Sequence, residues 1–230
     1  MTKKKVYVAY TGGTIGMKPS AKGFVPESGY FSQLISSLPE FESPDMPQIE
    51  IYEYPQLIDS SNITPQDWLN ISQDIESRFD EFDGFVVLHG TDTMAYTASA
   101  LSFMLEDLSK PVIITGSQIP WSQMRTDARD NFVTSLLLAA NYEIPEVSLY
   151  FHNRLYRGNR VRKIDASGFH AFDSPNFPPI AHVGSKIKIN KHLLLREPAA
   201  KLRVAKISQP QVIMLTLFPG FSAELLESVL

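Results

Sequence analysis

The sequence contains no cysteine, which excludes a disulfide scaffold, thiolate chemistry and zinc held by cysteine clusters, and makes a reducing compartment the simple expectation. Its five histidines, His89, His152, His170, His182 and His192, show no H-x-x-x-H or related ligand spacing, so no metal site is expected from them. Excess positive charge is also missing. At a formal net charge of −4 the chain has no bulk attraction for nucleic acid or anionic lipid. No apolar run approaches the roughly 18 residues of a membrane span. The basic start MTKKK leads into only about five apolar residues, too few for the apolar region of a signal peptide. These absences point to a cytoplasmic protein with a small or neutral partner, and with neither nucleic acid nor membrane.

What is present is enough apolar material for a substantial core, 43% of 230 residues. Strands are expected at Val6–Tyr10, Ile49–Tyr54, Phe85–His89, Val112–Thr115, Val147–Phe151 and Val212–Leu217. Several are unbroken apolar runs, the mark of strands covered on both faces. Helical patterns lie between them. One starts at TPQDW, with Thr64 as N-cap, Pro65 in the first turn and Asp67 completing a capping box. The others are AYTASALSFMLEDL, after HGTDTM, and DARDNFVTSLLLAANY. This alternation predicts an α/β fold with a mostly parallel sheet and helices on both faces.

In such sheets the working residues gather where strands end and loops begin. Three exits carry glycines and hydroxyl side chains: TGGTIG at 11–16, HGTDTM at 89–94 and TGSQIP at 115–120. TGGTIG does not fit a phosphate loop, which needs G-x-x-x-x-G-K-[ST], or a dinucleotide loop, which needs G-x-G-x-x-G. It does fit a hydroxyl mounted on a tight turn beside backbone N–H donors, the arrangement of a nucleophile. Thr14 is the candidate and Thr11 its competitor. A threonine needs a base. His89, ending a buried strand, reads as a hydrogen-bonded structural residue. Lys163 lies among Arg154, Arg157, Arg160 and Arg162; convergence of these cations would favour its neutral, basic form, and divergence would leave an exposed basic turn.

From Pro175 to Pro210 the chain is punctuated by proline, with seven Lys or Arg between Lys186 and Lys206 against one Glu. It reads as a linker with solvated charges. The expected division is an N-terminal catalytic domain over 1–185, a linker over 186–209 and the beginning of a C-terminal domain over 210–230. One strand and a partial helix cannot bury their own apolar faces, so this last part is expected to be incomplete.

TGGTIGM at 11–17, DSSNITPQDW at 59–68, HGTDTMAYTASALSFML at 89–105, TGSQIP at 115–120 and NRLYRGNRVRK at 153–163 together resemble the bacterial-type L-asparaginases, most closely their cytoplasmic type I branch. The resemblance implies a flavodoxin-like N-terminal domain, a smaller α/β C-terminal domain with an effector site, assembly as a homodimer or homotetramer, and hydrolysis of L-asparagine to L-aspartate and ammonia without a cofactor. It implies Thr14 as the nucleophile, with Thr91, Asp92 and Lys163 as the activating set. Asp92 would take the substrate's α-ammonium, and Asp59, Ser60 and Ser61 would form the loop that takes its α-carboxylate. The pattern departs at Phe24, where the family's lid carries a tyrosine that contacts the nucleophile; Phe24 can cover the site but cannot relay a proton, and Tyr30 is the nearest other phenol. A non-catalytic domain of the same fold, or a glutaminase-asparaginase, remains open on the sequence.

Overall fold

Unbroken apolar runs become the inner strands of one eight-stranded sheet. The structure is a computed structural model that describes residues 3–21, 23–206, 212 and 214–227. The strands are β1 Lys5–Gly12, β2 Gln48–Ile58, β3 Gly84–Leu88, β4 Val112–Thr115, β5 Val147–Phe151, β6 Arg154–Arg157, β7 Ala181–Val183 and β8 Ile187–Ile189. Across the sheet they run β8-β7-β6-β5-β4-β3-β1-β2. β2, β1, β3, β4 and β5 are parallel, and their order is that of a flavodoxin-like doubly wound sheet. β6, β7 and β8 extend it antiparallel.

Side-chain alternation divides the core in two. Tyr7, Ala9, Phe85 and Val87 face α2 (Pro65–Ser77) and α3 (Met94–Met104), packing with Ile71, Ile75 and Leu101. Val6, Val8, Val86 and Leu88 face α1 (Tyr30–Ser36) and α4 (Ala128–Asn141), packing with Phe31, Ile35, Phe132 and Leu136. α2 begins as its sequence predicts, with Thr64 and Asp67 forming a reciprocal capping box. Such a cap contributes about 1 kcal/mol.

The structure differs from the sequence expectation in four places. α1 was not foreseen because its cap is not local: Glu53, on β2, accepts from Gly29 N at 2.5 Å, Ser32 N at 2.8 Å and Ser32 Oγ at 2.7 Å. The β5–β6 hairpin turns on His152 and Asn153, whose φ values of 45° and 67° suit a two-residue turn. Part of the expected linker is woven into the fold. Ile187 and Ile189 pack on the core from β8, and Arg203–Val204 pairs with Leu105–Glu106, while the basic side chains between 186 and 206 stay exposed. The expected strand at Val212–Leu217 is corrected: Val212 and Met214–Leu217 have no regular structure and are exposed, and among the described residues no strand pairs with them. Residues 207–211 and 213 fall outside the described residues. A short helix, α5 (Ala223–Glu227), follows.

Candidate active site

The chain leaves β1 toward β2 on one side and leaves β3 toward β4 on the other, so a crevice opens between the ends of β1 and β3. Two glycines set how closely those ends approach. Gly13 has φ 88°, and a Cβ there would stand 2.5 Å from Gly90 N. A Cβ on Gly90 would stand 2.6 Å from Ser60 Oγ. The turns after β1 and β3 therefore meet backbone to backbone at Gly13, where a side chain is sterically excluded, and Gly90 packs on the Ser60 side chain from the turn after β2.

Thr14 opens a 3-10 turn, Thr14–Gly16. Its side chain is half-buried, and its hydroxyl bonds to none of the described residues. Thr11 is different: it is buried and its hydroxyl donates to Leu88 O at 2.8 Å. A hydroxyl spent on a strand carbonyl in the core is structural, so of the pair only Thr14 keeps a hydroxyl without a partner among the described residues.

Thr91 is buried at the start of the next turn. Lys163 Nζ donates to Thr91 Oγ1 at 2.9 Å and to Asp92 Oδ1 at 2.8 Å. Thr91 Oγ1 donates to Gln118 Oε1 at 3.1 Å. The orientation of that amide is fixed, because Gln118 Nε2 donates to Ala166 O at 3.2 Å and Gly168 O at 3.0 Å. Thus the Thr91 proton points to Gln118 and the Lys163 proton points to Thr91. Asp165 shapes the loop that supplies those two carbonyls. Its Oδ1 accepts from Gly168 N at 2.9 Å and Ser167 N at 2.8 Å, bonds that hold its carboxyl below the usual carboxylate range.

Lys163 reaches this position by a long return. After β6 the chain passes along α3 and pairs Arg162–Lys163 with Phe172–Asp173. The arginines around it do not converge. Arg157 bonds Glu146 at 2.6 Å, Arg154 meets His170 at 3.1 Å, and Arg160 and Arg162 are exposed. The charged partner of Lys163 is the carboxylate of Asp92, not a cluster of cations.

Of the substrate-loop residues, Ser60 is buried against Gly90 and its carbonyl accepts from Thr93 Oγ1 at 2.7 Å. The Asp59 carboxylate accepts from Ser61 N at 3.0 Å, capping the Ser60–Asn62 turn. Asp59 and Ser61 are exposed. Phe24 lies on the second arm of a hairpin, Lys18–Ser20 with Gly23–Val25, paired with Pro19 and 40% exposed. Tyr30 opens α1. Gln118 was not singled out from sequence, although TGSQIP was; its partners lie 27, 48 and 50 positions away, beyond any local signal.

A groove of about 640 Å³ lies elsewhere, at the N-terminal end of β5, lined by Ser102, Glu106, Asn159 and Arg203 among others. Two of its arginines are paired within it, Arg203 with Glu106 and Arg157 with Glu146. Among the described residues no group of three His, Asp or Glu side chains could hold a metal ion, and no helix is long and apolar enough to cross a membrane.

Comparison with known proteins identifies the family. The family described as "Asparaginase, N-terminal" matches residues 5–195. L-asparaginase 1 of Escherichia coli is 51% identical over 230 residues, which is 100% of this chain and 68% of that protein. The crystal structure of L-asparaginase I from Vibrio cholerae superposes with a TM-score of 0.92 at 49% identity, covering 99% of this chain and 68% of that one. The thermostable L-asparaginase from Thermococcus kodakarensis gives 0.85 at 34%, covering 98% and 67%. Matched by that family over most of its length and by a relative at 51% identity, the chain belongs to the asparaginase family.

Proposed function

We propose that this protein hydrolyses L-asparagine to L-aspartate and ammonia through an ester on Thr14. One observation carries the reading: the β1 turn bears an unpartnered threonine hydroxyl and packs at Gly13 on Gly90 of the β3 turn, whose own threonine accepts from a lysine that also bonds the Asp92 carboxylate. Thr14 Oγ attacks the side-chain amide carbon. Its proton passes to the Thr91–Lys163 pair and on to the leaving nitrogen, which departs as ammonia. Water deprotonated by the same pair then cleaves the Thr14 ester and releases L-aspartate.

For this, Lys163 must act as the neutral amine, its own proton released to solvent before Thr14 attacks. In the free enzyme it donates to Asp92 and Thr91 at once. Arrival of the substrate's α-ammonium at Asp92 brings a competing cation to that carboxylate and loosens its hold on Lys163. The α-carboxylate is received by the Ser60 hydroxyl, on the turn that Asp59 caps. Substrate binding and base activation are thereby one event at Asp92.

The protein is read as cytoplasmic and as a homodimer or homotetramer. α3 supports association: although buried on its inner side, it exposes Tyr96 and Phe103, seven positions apart on one face. The deciding experiment is ammonia release from L-asparagine by the 230-residue chain and by Thr14→Val. The variant should lose roughly 10⁴-fold or more in kcat with an unchanged circular dichroism spectrum. Equal rates in the two would remove Thr14 from the mechanism.

A further inference from the structure

His89 is the largest polar group near the crevice that the proposed chemistry leaves idle. Its ring is buried, with Nδ1 2.7 Å from Gly90 O and Nε2 2.9 Å from Thr97 Oγ1. Thr97, fully buried on α3, also receives the indole N–H of Trp68, from the first turn of α2, at 2.9 Å.

The proton positions follow from what each group can do. A carbonyl only accepts, so Nδ1 carries the hydrogen. Burial pushes the His89 pKa down to about 4, so the ring is neutral and Nε2 is a lone pair. The Thr97 hydroxyl must donate to Nε2, and its own lone pair takes the Trp68 N–H. Each donor is used, in one direction only: Trp68 to Thr97, Thr97 to His89, His89 to Gly90.

The chain ends on a peptide that matters. Gly90 C=O and Thr91 N–H belong to one trans unit, so fixing the carbonyl toward the core turns the Thr91 N–H away from it. Gly90 is also the residue on which Gly13 packs. We infer that the Trp68–Thr97–His89 chain is a positioning device that holds the Gly90–Thr91 peptide plane and, through Gly13, the turn bearing Thr14. It also ties α2, which follows the Ser60 loop, to that peptide. None of the three residues touches substrate in this scheme.

The inference rests on the amidohydrolase reading for its kinetic part only. Thr97→Val keeps the shape and removes the donor to Nε2, and Trp68→Phe keeps an aromatic ring and removes the N–H. With L-asparagine, kcat should fall about tenfold or more in Thr97→Val and severalfold in Trp68→Phe, with KM little changed, and Thr97→Ser should restore most of the loss. Nitrogen-15 NMR of the wild-type ring should show the neutral Nδ1–H form from pH 6 to 8. A ring protonated on Nε2 in that range overturns the proposal, as does a wild-type kcat in Thr97→Val. Should Thr97→Val fail to fold, Trp68→Phe against Thr97→Ser decides by the same criterion. Wild-type protein that releases no ammonia, yet shows the expected ring form, overturns the asparagine reading while the hydrogen-bond chain stands.

Discussion

Thr14 and Thr91 occupy corresponding places, each in the turn after an inner parallel strand, and the fold treats them in opposite ways. Thr91 is buried and fully engaged: Lys163 donates to it, it donates to Gln118, and Gln118 is itself locked by two carbonyls. Thr14 is half-buried, bonds to none of the described residues through its hydroxyl, and leads into a three-residue-armed hairpin with an exposed Phe24. A proton-transfer group gains from a fixed orientation, because catalysis by a base depends on hydrogen-bond geometry. A nucleophile that must form and lose a bond to carbon gains from having no competing partner. Under the proposed mechanism the two threonines are divided by task, one held and one left free.

That contrast can be broken from either side. The largest expected loss on the held side is Lys163→Met, which leaves Thr91 without its donor and Asp92 without its cation; kcat should fall roughly 10³-fold, read by ammonia release, while KM for asparagine changes far less. Retained activity would place the base elsewhere. Acid should loosen the same side. His89 titrates near pH 4 in the fold and near 6.5 when exposed, so the unfolded chain takes up the proton first. The stability His89 contributes is present above pH 6.5 and is lost as pH falls toward 4, by up to about 3 kcal/mol. Urea midpoints at pH 7 and pH 4.5 would show it, with a shallower pH dependence in His89→Asn.

Gln118→Leu should cost about tenfold in kcat, equivalent to about 1.4 kcal/mol, because the Thr91 proton loses its acceptor and the 165–168 loop loses its tie. An unchanged rate would mean that Lys163 alone orients Thr91. The smallest effect is a gain on the free side. Phe24→Tyr restores a phenol to the hairpin arm and should raise kcat severalfold; no change would show that the free threonine works without a partner at that position.

Much of this was open to sequence reasoning, and the remainder was closed to it for a definite reason. The inner strands are unbroken apolar runs, and the cap of α2 lies within four residues, Thr64 to Asp67. Both are local signals. The cap of α1 comes from Glu53, 21 and 24 positions away, and the acceptor for Thr91 from 27 positions away. β8 was hidden because its alternating Ile187 and Ile189 sit in a stretch dominated by lysine and proline. The apolar run at 212–217 sends the strand signal, but a strand forms only where another offers its edge. The grouping of Thr91, Asp92 and Lys163 came from the family resemblance alone; the residues around Lys163 left a cationic cluster and an exposed basic turn both open, and in the fold Lys163 donates to Thr91 and Asp92 while the arginines diverge.

The contact between Lys163 and Thr91 closes over 72 positions, and that between Gln118 and Gly168 over 50. No such contact can form early in folding, since loops of that size close only once the strands between them have paired. The helices can assemble and the sheet can begin without a working site. Regained turnover is therefore the last signal to return on refolding, a reporter of finished topology rather than of collapse.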